Sequence, residues 1–270
     1  MIVQSDPIVP ESLLRDLAAN LGNLIQAAAS RPVKISHDSL IVEALWPVAD
    51  GCLHVAVKQY RVRTVWKALT AIFRRAKAMQ NWQKAAFLLS HDIATPRPLL
   101  ACRPRGWTTS STSFLATQWI DGAENLHLFG WRIAAQPLDV RLRIARRCAE
   151  ASGQLLGRLH AAGAVHRDLK AANLLVVEKS SELSVYLVDL DGLETGKQVS
   201  FQRQARDLAR LAAGLAAHAW VTRSICRHFL RAYLFESLND SAGWKPLWRA
   251  IARETTAYVR RKQKRGEKVL

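Results

Sequence analysis

Three polar residues stand close together in one short segment, Val165-His166-Arg167-Asp168-Leu169-Lys170-Ala171-Ala172-Asn173-Leu174-Leu175. The carboxylate of Asp168 can accept a proton from a substrate hydroxyl. Lys170 can neutralise charge on a phosphoryl group in transit, and the side-chain carbonyl of Asn173 can hold a magnesium ion. These are the parts that phosphoryl transfer demands, because its catalysis is mostly positioning and charge stabilisation. The segment follows Leu159-His160-Ala161-Ala162-Gly163, a helix end with Gly163 placed to cap it.

Two further groups suit the same chemistry. Lys58 ends the apolar run Val55-Ala56-Val57, and Tyr186-Leu187-Val188-Asp189-Leu190-Asp191-Gly192 carries aspartates just after another apolar run. The segment from Tyr186 to Gly192 resembles the strand and metal-binding aspartate that the protein-kinase-like superfamily places after its catalytic loop. Two registers of that resemblance compete: Asp189, which directly follows the apolar residues, or Asp191, which keeps a following Gly192. Asp189 is favoured. The segment from Val165 to Leu175 resembles the catalytic loop of the protein-kinase-like superfamily, H-R-D-x-K-x-x-N, and Val55-Ala56-Val57-Lys58 resembles its phosphate-anchoring lysine motif. The resemblance implies an α+β, bilobal fold, with a small antiparallel-sheet N-lobe and a larger, mainly helical C-lobe.

The chain departs from that pattern in three places. Residues 33–50 contain no glycine, so no Gly-rich loop covers the phosphates, although Ser36 and Ser39 can donate hydrogen bonds there. No glutamate lies between Lys58 and Glu124, which leaves Gln80, Asn81 or Gln83 as a neutral helix-borne partner for the lysine. Little chain separates Asp189 from the helix expected near Phe201, and no A-P-E sequence follows. That is too short to seat a peptide, so the acceptor is expected to be a small hydroxylated molecule or a sugar.

The elements that must position these residues are legible as periodicities. Leu13, Leu14, Leu17, Leu21, Leu24 and Ile25 recur at helical spacing behind Pro10. Apolar runs at 40–48 and 52–60 flank Ala49-Asp50-Gly51 and predict a hairpin. A basic helical stretch fills roughly 64–89, and strands are expected at 98–103 and 113–120. Helical texture then dominates at 138–162, 201–219, 221–235 and 244–263, with two short strands within 173–189. The expected division is an N-lobe over 1–120 and a C-lobe over 121–270.

The 270 residues are 49% hydrophobic and 23% charged, enough to bury a core, and no stretch is long and apolar enough to span a membrane. The N-terminus has no basic region before an apolar run, so no signal peptide is expected. Cys52, Cys102, Cys148 and Cys226 lack metal or disulfide spacing and fit a reducing cytosol. Charge is the unusual bulk property: 39 Lys and Arg against 22 Asp and Glu, a net +17. Such a field favours an anionic partner, and with no nucleic-acid motif present, nucleic acid is not expected.

Taken together the motifs resemble one family, the lipopolysaccharide-core kinases that phosphorylate Kdo or heptose. The carriers are Val57-Lys58-Gln59-Tyr60, Trp82 ahead of Ile93-Ala94-Thr95-Pro96-Arg97-Pro98, the catalytic loop, and Val188-Asp189-Leu190-Asp191. Arg206-Asp207-Leu208, Phe229-Leu230-Arg231-Ala232-Tyr233 and Arg261-Lys262-Gln263-Lys264-Arg265-Gly266 continue them in order. The resemblance implies ATP and Mg2+ as cofactors, with Asp168 and Lys170 catalytic, Lys58 on the nucleotide phosphates, and Asn173 and Asp189 on the metal. It implies a lipid-linked core oligosaccharide as partner and a cytoplasmic place, peripheral on the anionic face of the inner membrane. The stretch 61–77, with Arg61, Arg63, Lys67, Arg74, Arg75 and Lys77 beside Trp66, Ile72 and Phe73, suits a membrane surface or a solvated helix. Asp207 suits either a brace for the catalytic loop or a surface salt bridge. The alternatives are a kinase of another small alcohol and an inactive kinase-like protein that binds anions.

Overall fold

The structure, a computed structural model, describes residues 2–9, 11, 31–36, 38–48, 51–61, 76–103, 112–179, 182–196, 198–236 and 243–267. The helix expected around 13–25 and most of the basic stretch 61–77 lie outside the described residues. The chain divides into two compact units, one of residues 1–87 with 96–120 and one of residues 88–95 with 121–270.

The first unit is built on strands β1 (Ile2–Ser5), β2 (Arg31–Ile35), β3 (Ser39–Val48) and β4 (Gly51–Tyr60), helix α1 (Lys77–Ser90), and strands β5 (Pro98–Arg103) and β6 (Ser113–Gln118). The strands form one sheet in the order β1-β5-β6-β4-β3-β2, with every neighbouring pair antiparallel. The expected hairpin is present, shifted by one residue: Val48 pairs with Gly51, so the connection is 49–50 and Gly51 already belongs to the strand. Alternation along β4 sorts its side chains. Val55 and Val57 are buried against Val42, Trp46, Leu100 and Phe114 on one face. Tyr60 faces the other way, with Ala101 and Leu115, and there α1 packs through Ala78, Met79 and Trp82.

The second unit contains β7 (Glu124–Asn125), α2 (Leu126–Ala134), α3 (Leu138–Ala161), β8 (Ala164–His166), β9 (Leu174–Lys179), β10 (Glu182–Leu187), β11 (Leu193–Thr195), α4 (Phe201–Leu215), α5 (Arg223–Glu236) and α6 (Trp244–Lys264). Asn125 caps α2 by accepting from the Leu128 amide, and Gly163, at φ +77°, ends α3 in the left-handed region only glycine enters freely. α3 and α5 meet at glycines. A Cβ on Gly153 would stand 2.4 Å from the Phe229 carbonyl oxygen, and one on Gly157 would stand 2.6 Å from that of Tyr233. Short ladders, β10-β9-β7 and β11-β8, lie between the helices and carry the chemistry-bearing loops. Among the described residues no helix is long and apolar enough to cross a membrane.

Candidate active site

The catalytic loop leaves β8 at His166 and re-enters regular structure at β9, and its turns are closed by its own backbone. Leu169 N–H donates to the His166 carbonyl (3.0 Å) and Asn173 N–H to that of Lys170 (2.9 Å). Asp168 and Lys170 point outward and touch: Lys170 Nζ lies 2.6 Å from Asp168 Oδ2, with the side chains 45% and 57% exposed. Asn173 is buried, and its Nδ2 donates to the Asp168 carbonyl (2.9 Å). That bond ties the two ends of the loop and leaves Oδ1 as the atom suited to a cation.

Asp189 comes alongside through the neighbouring strand. β9 and β10 pair with Leu187 opposite Leu174, and one residue on, Val188 N–H donates to the Asn173 carbonyl (2.9 Å). The chain then turns through Asp189 at φ +60°, ψ +59°, a left-handed conformation that costs a non-glycine residue on the order of 1 kcal/mol and that such sites retain for positioning. Ile93-Ala94-Thr95 braces β10 from its free side: Leu187 N–H donates to the Ala94 carbonyl and Thr95 Oγ1 to that of Leu187, both at 2.8 Å. Asp191 is exposed, in the short turn that follows. Gly192 lies so close to the loop that a Cβ there would stand 3.2 Å from the Asp168 amide nitrogen.

What holds these pieces in place is the side chain of Asp207, on α4 and only 3% exposed. It is a brace for the loop and not a surface salt bridge. Its Oδ2 accepts the His166 backbone N–H at 2.6 Å, its Oδ1 accepts from Arg210 at 2.8 Å, and the His160 imidazole stands 3.5 Å away. His166 carries the constraint onward, for its Nε2 donates to the Asp189 carbonyl at 3.0 Å. His160 is in turn set by the Tyr233 hydroxyl, 2.7 Å from its Nδ1. Burial, reinforced by the Asp207 charge, pushes the Tyr233 phenol above its usual range, so it stays a neutral hydrogen-bonding group.

Lys58 belongs to the first unit and has a seat of its own. It stands opposite Leu115 on β6, on the α1 side of the sheet, with its ammonium 4.9 Å from the centre of the Tyr60 ring. Asn81 on α1 donates to the Tyr60 hydroxyl at 2.7 Å and is 2% exposed, whereas Gln80 and Gln83 face outward. Asn81, one of the three candidates, reaches the strand through Tyr60. Ser36 and Ser39, expected to be donors in place of a Gly-rich loop, bond each other (Oγ to Oγ, 2.8 Å).

The structure thus brings Asp168, Lys170, Asn173 and Asp189 together, and it places Lys58 in the other unit. Sequence reasoning missed His166, Tyr60 and the apolar cavity of the second unit. That cavity, about 560 Å³, is lined by residues such as Phe129, Leu211, Leu215, Ile225 and Trp248. The buried His218 at its wall is held neutral by burial and by the adjacent His127, which lower its pKa.

A model of the lipopolysaccharide kinase (Kdo/WaaP) family matches residues 41–233. The chain is 27% identical over 207 residues to the lipopolysaccharide core heptose(I) kinase WaaP of Pseudomonas aeruginosa, covering 74% of this chain and 75% of that protein. It is 29% identical over 123 residues to the 3-deoxy-D-manno-octulosonic acid kinase of Xanthomonas euvesicatoria, covering 45% of this chain and 43% of that protein. A solved structure, WaaP in complex with acyl carrier protein, superposes with a TM-score of 0.60 at 22% identity, covering 94% of this chain and 99% of that one. That likeness shows the fold, the kinase-like α+β fold expected from the motifs.

The bracing by Asp207 has a measurable consequence. Asp207→Ala leaves the Arg210 charge and the His166 amide unmet, and should cost roughly 3 kcal/mol in urea unfolding. With the loop displaced, kcat should fall about 100-fold or more, while KM for nucleotide changes little. A variant that unfolds earlier but turns over normally would show Asp207 to be structural only.

Proposed function

The chain belongs to the lipopolysaccharide kinase (Kdo/WaaP) family, and on that footing we propose that it transfers the γ-phosphoryl group of ATP to a sugar hydroxyl, of Kdo or heptose, in the lipopolysaccharide inner core. The observation that carries the reading is the loop itself. Asp168 and Lys170 project together from a segment that Asn173 ties shut, beside the strand that delivers Asp189. Asp168 orients the acceptor hydroxyl and takes its proton as the oxygen bonds to phosphorus and ADP departs. Lys170 neutralises charge on the moving phosphoryl group. Lys58, with its Tyr60 seat, is assigned to the nucleotide phosphates.

The donor set fits magnesium. One amide carbonyl and one carboxylate are the few oxygen ligands of a cation that keeps several waters and phosphate oxygens, and among the described residues no group of three or more His, Cys, Asp or Glu offers a cage for another metal. Asn173 and Asp189 would hold the ion, which supplies charge neutralisation on the phosphates. The surplus of positive charge fits peripheral attachment to the anionic cytoplasmic face of the inner membrane, where a lipid-linked acceptor is found.

The cavity of the second unit suits a hydrocarbon chain in size and lining. Since the solved neighbour carries an acyl carrier protein, we extend the proposal to an acylated carrier protein as a partner. Acylated carrier should raise the thermal midpoint of this chain, and carrier lacking the acyl group should not. Equal effects of the two would remove the cavity from the interaction.

Mass spectrometry of core oligosaccharide and a panel of other alcohols, after incubation with Mg-ATP, tests the function. Wild type should add one phosphoryl group to a core sugar, and Asp168→Ala should add none while binding ATP with similar affinity. Transfer to another alcohol alone would keep the chemistry and overturn the acceptor. Asp189→Asn should abolish magnesium-dependent nucleotide binding and Asp191→Asn should leave it near wild type; the reverse result would move the metal to Asp191.

A further inference from the structure

Helix α6 begins beside α5, where the Arg227 guanidinium lies 6.0 Å from the Trp244 ring. It passes the middle of α4, where Thr255 Oγ1 donates to the Ala209 carbonyl (3.4 Å) and Glu254 lies 3.6 Å from Arg206. Because α5 starts a few residues after α4 ends, α6 runs antiparallel to α4, and its last turn arrives where α4 begins. Lys262 lies seven residues past Thr255 on the same face, about 10 Å further along the axis. The start of α4 is the neighbourhood of the catalytic loop. Arg203 and Arg167 share the Glu194 carboxylate there at 2.7 and 3.0 Å, and Arg167 adjoins Asp168. Hydrogen bonding to Glu267 raises the Lys262 pKa above its ordinary value, and the carboxylates of Glu267 and Asp168 add to the shift.

The turn that follows is built around this lysine. Gly266, at φ +64°, donates its N–H to the Gln263 carbonyl (3.0 Å), and Glu267 N–H returns to the Lys262 carbonyl (3.1 Å). This double closure is the glycine-capped helix end that folds the next residue back on the helix. It brings the Glu267 carboxylate onto Lys262 Nζ, with Arg265 within 4.0 Å of the same carboxylate. The pair is accessible, with side-chain exposures of 30% and 43%. An incoming oxyanion can therefore replace Glu267 without stranding a charge.

We infer that Lys262 is an acceptor-recognition residue, taking an oxyanion of the acceptor saccharide, a sugar carboxylate or a phosphate, in place of Glu267. The inference rests on the function proposed above and adds which part of the acceptor is recognised, and by what. Glu267 acts as an internal competitor that occupies the lysine until the acceptor arrives. Arg261, Lys264 and Arg265 keep the local field positive during the exchange.

The test is calorimetric titration of deacylated inner-core oligosaccharide into the full chain without nucleotide. Lys262→Ala should weaken binding roughly fivefold, and Glu267→Gln should tighten it by a similar factor; Lys262→Arg should restore most of the affinity. Oligosaccharide with its carboxylates reduced to alcohols, and oligosaccharide freed of phosphate, distinguish the two sources of the oxyanion: the one that no longer responds to either variant has lost the recognised group. Binding that is absent in wild type, or equal in wild type, Lys262→Ala and Glu267→Gln, overturns the inference. Turnover of the same samples separates the two readings. Transfer without a variant effect on binding sinks only this inference, and a variant effect without transfer to any core sugar sinks only the proposed function.

Discussion

A carboxylate removed from water must have its charge met, and the catalytic loop of this protein is organised around meeting that of Asp207. Desolvation of an ion is expensive enough that the surrounding donors cannot be left to chance. Here they are a backbone amide at the loop's entrance and a guanidinium one helical turn away on α4, with an imidazole, its orientation set by a buried tyrosine, standing 3.5 Å off. The helix supplies the rigidity and the carboxylate transmits it. His166 relays the constraint to the Asp189 carbonyl, so one buried charge holds both the segment that carries Asp168 and the segment that carries Asp189. The arrangement fixes the spacing of Asp168, Lys170 and Asp189, the residues proposed to act, on two short irregular segments.

The lysine of the first unit is held by different physics. With no glutamate on α1 to pair with it, the ammonium lies over an aromatic ring whose hydroxyl is fixed from the helix by Asn81. A cation–π contact at a partly exposed site contributes roughly 0.5–1 kcal/mol, less than a buried ion pair in a fixed geometry.

Much of this was legible in the amino-acid order, and the limits have physical causes. The segment proposed as the catalytic loop stands out because Asp168, Lys170 and Asn173 fall within one short stretch at a fixed spacing. The long helices and the strands β4, β5, β6, β9 and β10 could be read because their periodicities persist for five residues or more. β7, β8 and β11 span only two or three residues each, too few for a period, and they exist because distant partners pair with them. The role of His166 was hidden for a related reason: its partners Asp207 and Asp189 lie 41 and 23 residues away. Asn81 was among the named candidates for the lysine, but its route through Tyr60 required the register of β4 against α1. The return of Glu267 to Lys262 depends on the three-dimensional closure of the turn at Gly266.

The claim that a single buried carboxylate fixes the loop is tested most directly by amide hydrogen exchange across 164–190, compared between wild type and Asp207→Asn. The account predicts that the amides of His166, Leu169, Asn173 and Val188 are protected in wild type. In the variant they should exchange together at markedly faster rates, while those of α3 are little changed. Protection that persists at all four amides in the variant would contradict it and would place the loop's order in the β9–β10 ladder alone.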